Sequence, residues 1–167
     1  MRERNFILQQ GFEDPPQEGC GPRYSALMFQ PRVILGLLLI GILTQSPVLF
    51  LVLSAVLWWN ALFPRWNPFD LLYNTTFGRR SGAIRLGPAP APRRFAQGMA
   101  GTFALAIGVL LLQGWRFAAF VLEGLFLAAV LALAVGGFCL GSFIFHLVRG
   151  RTSFALSTLP WARGHAR

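Results

Sequence analysis

The sequence contains no lysine: all fifteen basic residues are arginine. Acid is scarce as well, with six Asp and Glu residues, and the net charge is +9. Two cysteines, Cys20 and Cys139, do not make a disulfide framework. With only His146 and His165 beside them, no metal-site spacing arises. No nucleotide-cradling loop, nucleophile triad or pair of carboxylates occurs, which removes the motif-bearing hydrolase and nucleotide-enzyme classes. The opening MRERNFILQQGFEDPPQEGC lacks the apolar core that a signal peptide needs, so the first apolar run, after Arg32, reads as a retained membrane helix.

What is abundant is apolar surface. The chain has 167 residues, enough for one domain; 54% are hydrophobic and 13% charged, against about a quarter charged in ordinary soluble domains. Sixteen Phe and five Trp are more than a small water-soluble core can hide. Four apolar runs stand out, at 33–45, 46–63, 95–113 and 117–148. A helix needs about 20 residues to cross a hydrocarbon layer of about 30 Å. Ser46 and Pro47 suit a cap and a first turn, so residues 33–63 are expected to form two helices, with one kinked helix as the alternative. Residues 113–116 (QGWR) form a second tight reversal.

The arginines then set a topology. Arg2, Arg4, Arg23 and Arg32 precede the first run; Arg65, Arg79, Arg80, Arg85, Arg93 and Arg94 separate the second from the third; Arg149, Arg151, Arg163 and Arg167 follow the fourth. Only Arg116 falls in the opposite turn. The positive-inside rule predicts an all-α membrane protein of four transmembrane helices in two hairpins, with both termini cytoplasmic. The expected organisation is a cytoplasmic segment 1–28, a transmembrane domain 29–148 and a surface tail 149–167. The spans are drawn at about 31–45, 47–63, 95–113 and 117–148, with a cytoplasmic loop 64–94. Trp58, Trp59 and Trp66 mark the inner interface and Trp115 the outer one. Within the loop, Asn67 and Pro68 signal a short helix. Arg79, Arg80, Arg85, Arg93 and Arg94 are candidates for binding anionic headgroups or a partner. Nucleic acid is not needed to explain the charge.

Small residues recur every four positions in the third run (Ala96, Ala100, Ala104, Gly108) and in the fourth (Gly124, Ala128, Ala132, Gly136), with Gly137 and Gly141 beyond. Such rows let membrane helices approach closely, and they predict that the second hairpin packs tightly on itself. Cys139 sits among these glycines. On one continuous helix it shares a stripe with Ser142 and His146, but His146 is about 10 Å along the axis, too far for a direct hydrogen bond. Cys139 reads either as a small packing residue or as a thiol with redox or sulfur-handling chemistry. His146 reads as an interfacial residue or as a ligand to haem, chlorophyll or a partner. Glu123 is the one acid expected inside the membrane. It pairs with Arg116 near the outer surface, or it carries protons.

PAPAPRRFAQGMAGTFALA and GGFCLGSFIF carry a resemblance. Pro90, Pro92, Arg93, Arg94, Phe95, Ala96 and Gln97, and then Gly137, Phe138, Cys139 and Gly141, resemble the motifs of an uncharacterised prokaryotic membrane-protein family, a domain of unknown function. The resemblance covers roughly residues 88–147. It implies four spans and a pair of thiols at the cytoplasmic end of the fourth. Some relatives are associated with thioredoxin-like or rhodanese-like domains, which implies thiol or sulfur chemistry. Here Ser142 stands where the second cysteine is expected, and a serine cannot form the disulfide. Cys20 can replace it only if the N-terminal segment folds back.

The functional expectation is a non-enzymatic accessory or scaffold subunit of a larger complex in the bacterial inner membrane, a respiratory or photosynthetic assembly being the kind considered. Its partners are other integral membrane subunits and anionic lipids. No cofactor is predicted, and there is room for a bound lipid or pigment. The alternative is a membrane thiol-redox or sulfur-transfer protein using Cys139.

Overall fold

The structure, a computed structural model, describes residues 2–13, 20–78 and 84–162. The described residues are helical, with no strand among them. In chain order the helices are α1 (Arg2–Gln9), α2 (Cys20–Thr44), α3 (Pro47–Leu62), a short 3-10 turn (Pro64–Trp66), α4 (Pro68–Thr76), α5 (Ala91–Leu112), α6 (Arg116–Ala134), α7 (Leu140–Val148) and α8 (Thr152–Ser157). Three of them, α2, α5 and α6, are long and apolar enough to cross a membrane. Helix α3 is apolar but has 16 residues, about 24 Å of rise.

The caps are local chemistry. Helix α2 stops at Thr44, and the Ser46 hydroxyl accepts the Leu49 amide at 3.4 Å with Pro47 in the first turn of α3. Asn67 caps α4 by accepting from the Phe69 and Asp70 amides. Proline is tolerated at both starts because its missing N–H has no helical partner there. Asn74 then pins the returning loop by exchanging hydrogen bonds of 3.0 and 2.9 Å with the Leu86 backbone.

Helices α2, α3, α5 and α6 close a ring in which α3 lies against α5, α5 against α6, α6 against α2, and α2 against α3. Ile34, Leu38, Phe50, Leu53, Leu57, Ala104, Ile107, Phe126 and Val130 form its core. The closest seam is α3 on α5 rather than α5 on α6. A side chain at Gly101 would meet the Trp58 ring at 2.8 Å, and one at Gly108 would meet Leu51 at 2.9 Å. Ser54 crosses the same seam, its hydroxyl donating to the Gly101 carbonyl at 2.8 Å. The expected seam within the second hairpin is therefore corrected for α6, although Ala96 of the same α5 row does meet Gly141 further along the chain. On α6, Gly124 has nothing within 4 Å of its missing Cβ, and Ala128 is exposed. The α6 row points outward, and α5 uses its own small face on α3.

A second correction concerns 117–148, expected as one span. Helix α6 ends at Ala134, and α7 begins a new helix at Leu140. The Gly136-Gly137 pair is the cause. Gly137 takes a left-handed φ of 63°, and a Cβ on Gly136 would run into the Ala132 carbonyl. The chain turns with widened bonds, Gly136 N–H to Leu131 O and Phe138 N–H to Ala132 O. Helix α7 then lies on the first turns of α5, where a side chain at Gly141 would meet Ala96 at 2.7 Å.

The N-terminal helix closes this end of the bundle. An eight-residue helix is marginal alone. Here Phe6 and Ile7 of α1 are buried with Leu27, Met28 and Cys139. The Asn5 amide donates to the Leu159 and Ala162 carbonyls, clasping the C-terminal segment. After α1 the chain turns at Gly11 (φ 85°), tight against Pro92 and Pro90 at the start of α5.

Candidate functional site

Two buried polar clusters lie at this closed end. The first joins α2, α4 and α5. Arg93 and Asp70 form an ion pair at 2.8 Å, their side chains 6% and 8% exposed. The second Arg93 nitrogen reaches the other carboxylate oxygen at 3.2 Å, giving the two-pronged geometry that suits guanidinium. Gln30 Oε1 accepts from Arg93 at 2.7 Å, from Gln97 Nε2 at 3.1 Å and from Asn67 at 3.4 Å. Asn67 also donates to Asp70 at 2.9 Å. Arg93 was expected to face headgroups or a partner; it is instead the internal counter-ion of Asp70. Arg94, grouped with it, donates through Nε to the Ala61 carbonyl at 2.7 Å. Arg85 is exposed, and Arg79 and Arg80 lie outside the described residues.

The second cluster surrounds Cys139. The turn at Gly136-Gly137 makes Cys139 the N-cap of α7, with Ser142 in the first turn, so the stretch is Cys-x-x-Ser at a helix start rather than mid-helix. Cys139 is 5% exposed. Its amide donates to Gln9 Oε1 at 2.8 Å. His146 Nε2 donates to the Gln9 carbonyl at 3.1 Å, since a carbonyl can only accept. Gln9 of α1 thus bridges the cysteine and histidine that are too far apart to touch directly. Three polar atoms here are buried without a partner: Gln9 Nε2, Ser142 Oγ and His146 Nδ1. The His146 ring packs edge-on to Phe154 at 4.8 Å. Cys20 and Cys139 are both free thiols.

Between the two clusters is a cavity of about 360 Å³. Cys139, Gln97, Gln30 and Arg93 are on its wall, and the rest is largely apolar, including Ile34, Phe103 and Phe126. Nothing among the described residues forms a metal-binding group of three or more His, Cys, Asp and Glu.

Glu123 is buried at 2% exposure, and its partner is not Arg116, which is exposed. Both carboxylate oxygens accept from Gln45 Nε2, at 3.2 and 3.1 Å. Gln45 is the turn residue between α2 and α3 and has a positive φ of 48°. Sequence reasoning missed Gln9, Gln30, Gln45 and Asp70. Asp70 carried a signal: it is the only acid between Glu18 and Glu123, in a region rich in arginine.

Residues 24–150 match a protein family described as Domain of unknown function (DUF4395). The chain belongs to that family. The match runs from the second turn of α2 to two residues past α7, so it takes in the four-helix ring, the ion pair and the cysteine turn. No curated protein and no solved structure matches the chain.

Proposed function

We propose a four-span protein of the bacterial inner membrane, with both termini cytoplasmic, that works through Cys139 as a single exchanging thiol. Helix α3 and the 3-10 turn that follows it make the shortest crossing. Every arginine except Arg116 falls on the cytoplasmic side of this topology, in keeping with the positive-inside rule.

The observation that carries the thiol reading is the position of Cys139: it caps α7 on the wall of an apolar cavity, beside three unpartnered polar atoms. Buried polar groups in a membrane protein are costly and mark functional positions. The first-turn amides of α7 favour negative charge beside them. In the reaction the Cys139 thiolate attacks one sulfur of a disulfide. A new S–S bond forms, the old one breaks, and the second sulfur leaves as a thiolate that takes up the proton. Ser142 cannot resolve the mixed disulfide, so a second thiol must, either Cys20 or one from outside the chain. With Cys20 replaced by Ser, the lipophilic disulfide dithiodipyridine should release one equivalent of thione per folded chain. The Cys20→Ser/Cys139→Ala protein should release none. Release only after denaturation would defeat the reading.

One observation favours a second reading, the accessory subunit of a larger inner-membrane assembly, respiratory and photosynthetic complexes included. The outward row of Gly124 and Ala128 offers a groove of the kind in which membrane helices pack. Gentle solubilisation of native membranes should then recover the chain in stoichiometric complex with other integral subunits. Recovery of the free chain, with no partner lost on mutation of Gly124, would remove it. The exposed Arg85 suits contact with anionic headgroups.

A further inference from the structure

The cavity beside Cys139 has a polar end whose bonding is unfinished. Arginine offers donors only, so the Gln30 atom facing Arg93 must be its oxygen. Gln97 must therefore present its nitrogen to that oxygen. This leaves Gln97 Oε1, on the cavity wall, buried and without a donor. Gln97 is 6% exposed. A buried acceptor left without a donor is destabilising, and a ligand that supplies the donor relieves it.

The rest of the wall specifies the other end of a ligand. The volume, about 360 Å³, is within the range of small-molecule sites, about 300–1,000 Å³. From Arg93 to Phe103 the α5 lining rises about 15 Å, and beyond the glutamines it is aliphatic and aromatic. Leu125 and Leu140 line the cavity and are also exposed, at 56% and 42%, so the mouth opens on the apolar flank of the bundle. A ligand enters there from the lipid phase.

The charges narrow the head group. Arg93 is already neutralised by Asp70, so a carboxylate finds no free cation and an ammonium no free anion. A ketone, ester or ether accepts only and leaves Gln97 Oε1 unpaired. A neutral hydroxyl donates and satisfies it. We propose that the cavity binds one long-chain alcohol, its hydroxyl donating to Gln97 Oε1 and its chain lying among Ile34, Phe103 and Phe126. The site does not depend on the reactivity of Cys139.

The test uses the full chain in phospholipid vesicles and a dodecanol bearing a photoreactive diazirine. Labelled peptides should map to Met99, Leu125, Ala129 and Ile144, and unlabelled dodecanol should compete about tenfold more strongly than dodecyl methyl ether. Gln97→Leu should abolish the preference for alcohol, and Ala129→Phe, which fills the cavity, should abolish the label. Cys139→Ala should keep it, separating this site from thiol exchange. Label spread evenly to the outward residues Phe117 and Val121, or an ether that competes equally well on the natural chain, would overturn the proposal. The comparison of alcohol with ether needs no variant, so it decides even if Gln97→Leu does not fold.

Discussion

Asp70 and Arg93 are the residues on which the closed end of the bundle depends most. Their carboxylate and guanidinium are both buried, and each is satisfied mainly by the other. Removing one partner strands a buried charge, at a cost of about 3–5 kcal/mol, whereas replacing both with apolar groups removes the desolvation penalty as well. Asp70→Leu should therefore lower the thermal midpoint in detergent sharply, and Asp70→Leu/Arg93→Leu should recover a large part of that loss. An additive double variant would contradict the pairing. Half of this pair was legible in the sequence. The Asn67-Pro68 cap set Asp70 in the first turn of α4, but Arg93 was one of several arginines read as facing headgroups or a partner. Pairing across 23 residues and two helices leaves no periodic trace. The same is true of Gln9 with Cys139 and of Gln45 with Glu123.

At the scale of the element, the glycines divide into those that face a neighbour and those that face outward, and their spacing alone does not separate them. Gly141→Leu would force α7 from α5, because the space is filled by Ala96. It should destabilise the protein by about 1–3 kcal/mol, the cost of overpacking. Gly124→Leu meets nothing within 4 Å and should leave the isolated chain within about 0.5 kcal/mol of the natural one, so that any effect appears only as lost association in native membranes. Thermal unfolding of the two variants side by side distinguishes these faces. The helix starts at Pro47 and Pro68 were readable because a cap is chemistry within three or four residues. The end of α6 was not, because Gly136-Gly137 sits inside an uninterrupted apolar run and its small-residue spacing suggests packing. The left-handed φ at Gly137 is what turns the same residues into a stop. Helix α1 was not legible either: Phe6 and Ile7 become a core only when docked on α2 and Cys139. Phe6→Ala/Ile7→Ala should undock α1 and raise the rate at which a charged maleimide reaches Cys139 by at least tenfold, read by mass spectrometry in the Cys20→Ser background.

For the whole molecule, the ring of α2, α3, α5 and α6 supplies an apolar bundle, and the short helices help to gather two polar clusters at one end. Nothing in an apolar bundle requires Gln9, Ser142 and His146 to be buried there with unpartnered atoms. Gln9 joins Cys139 and His146 there, and on the proposed thiol reading the cavity that Cys139 lines is the route to the lipid phase. The most direct measurement is differential alkylation of Cys139 in sealed vesicles carrying the Cys20→Ser protein. N-phenylmaleimide, which dissolves in the bilayer, should label Cys139 at neutral pH, and a sulfonated maleimide of similar reactivity should label it at least tenfold more slowly from either side. Equal labelling by both reagents, or by neither until the protein is unfolded, would contradict a thiol that works from within the membrane.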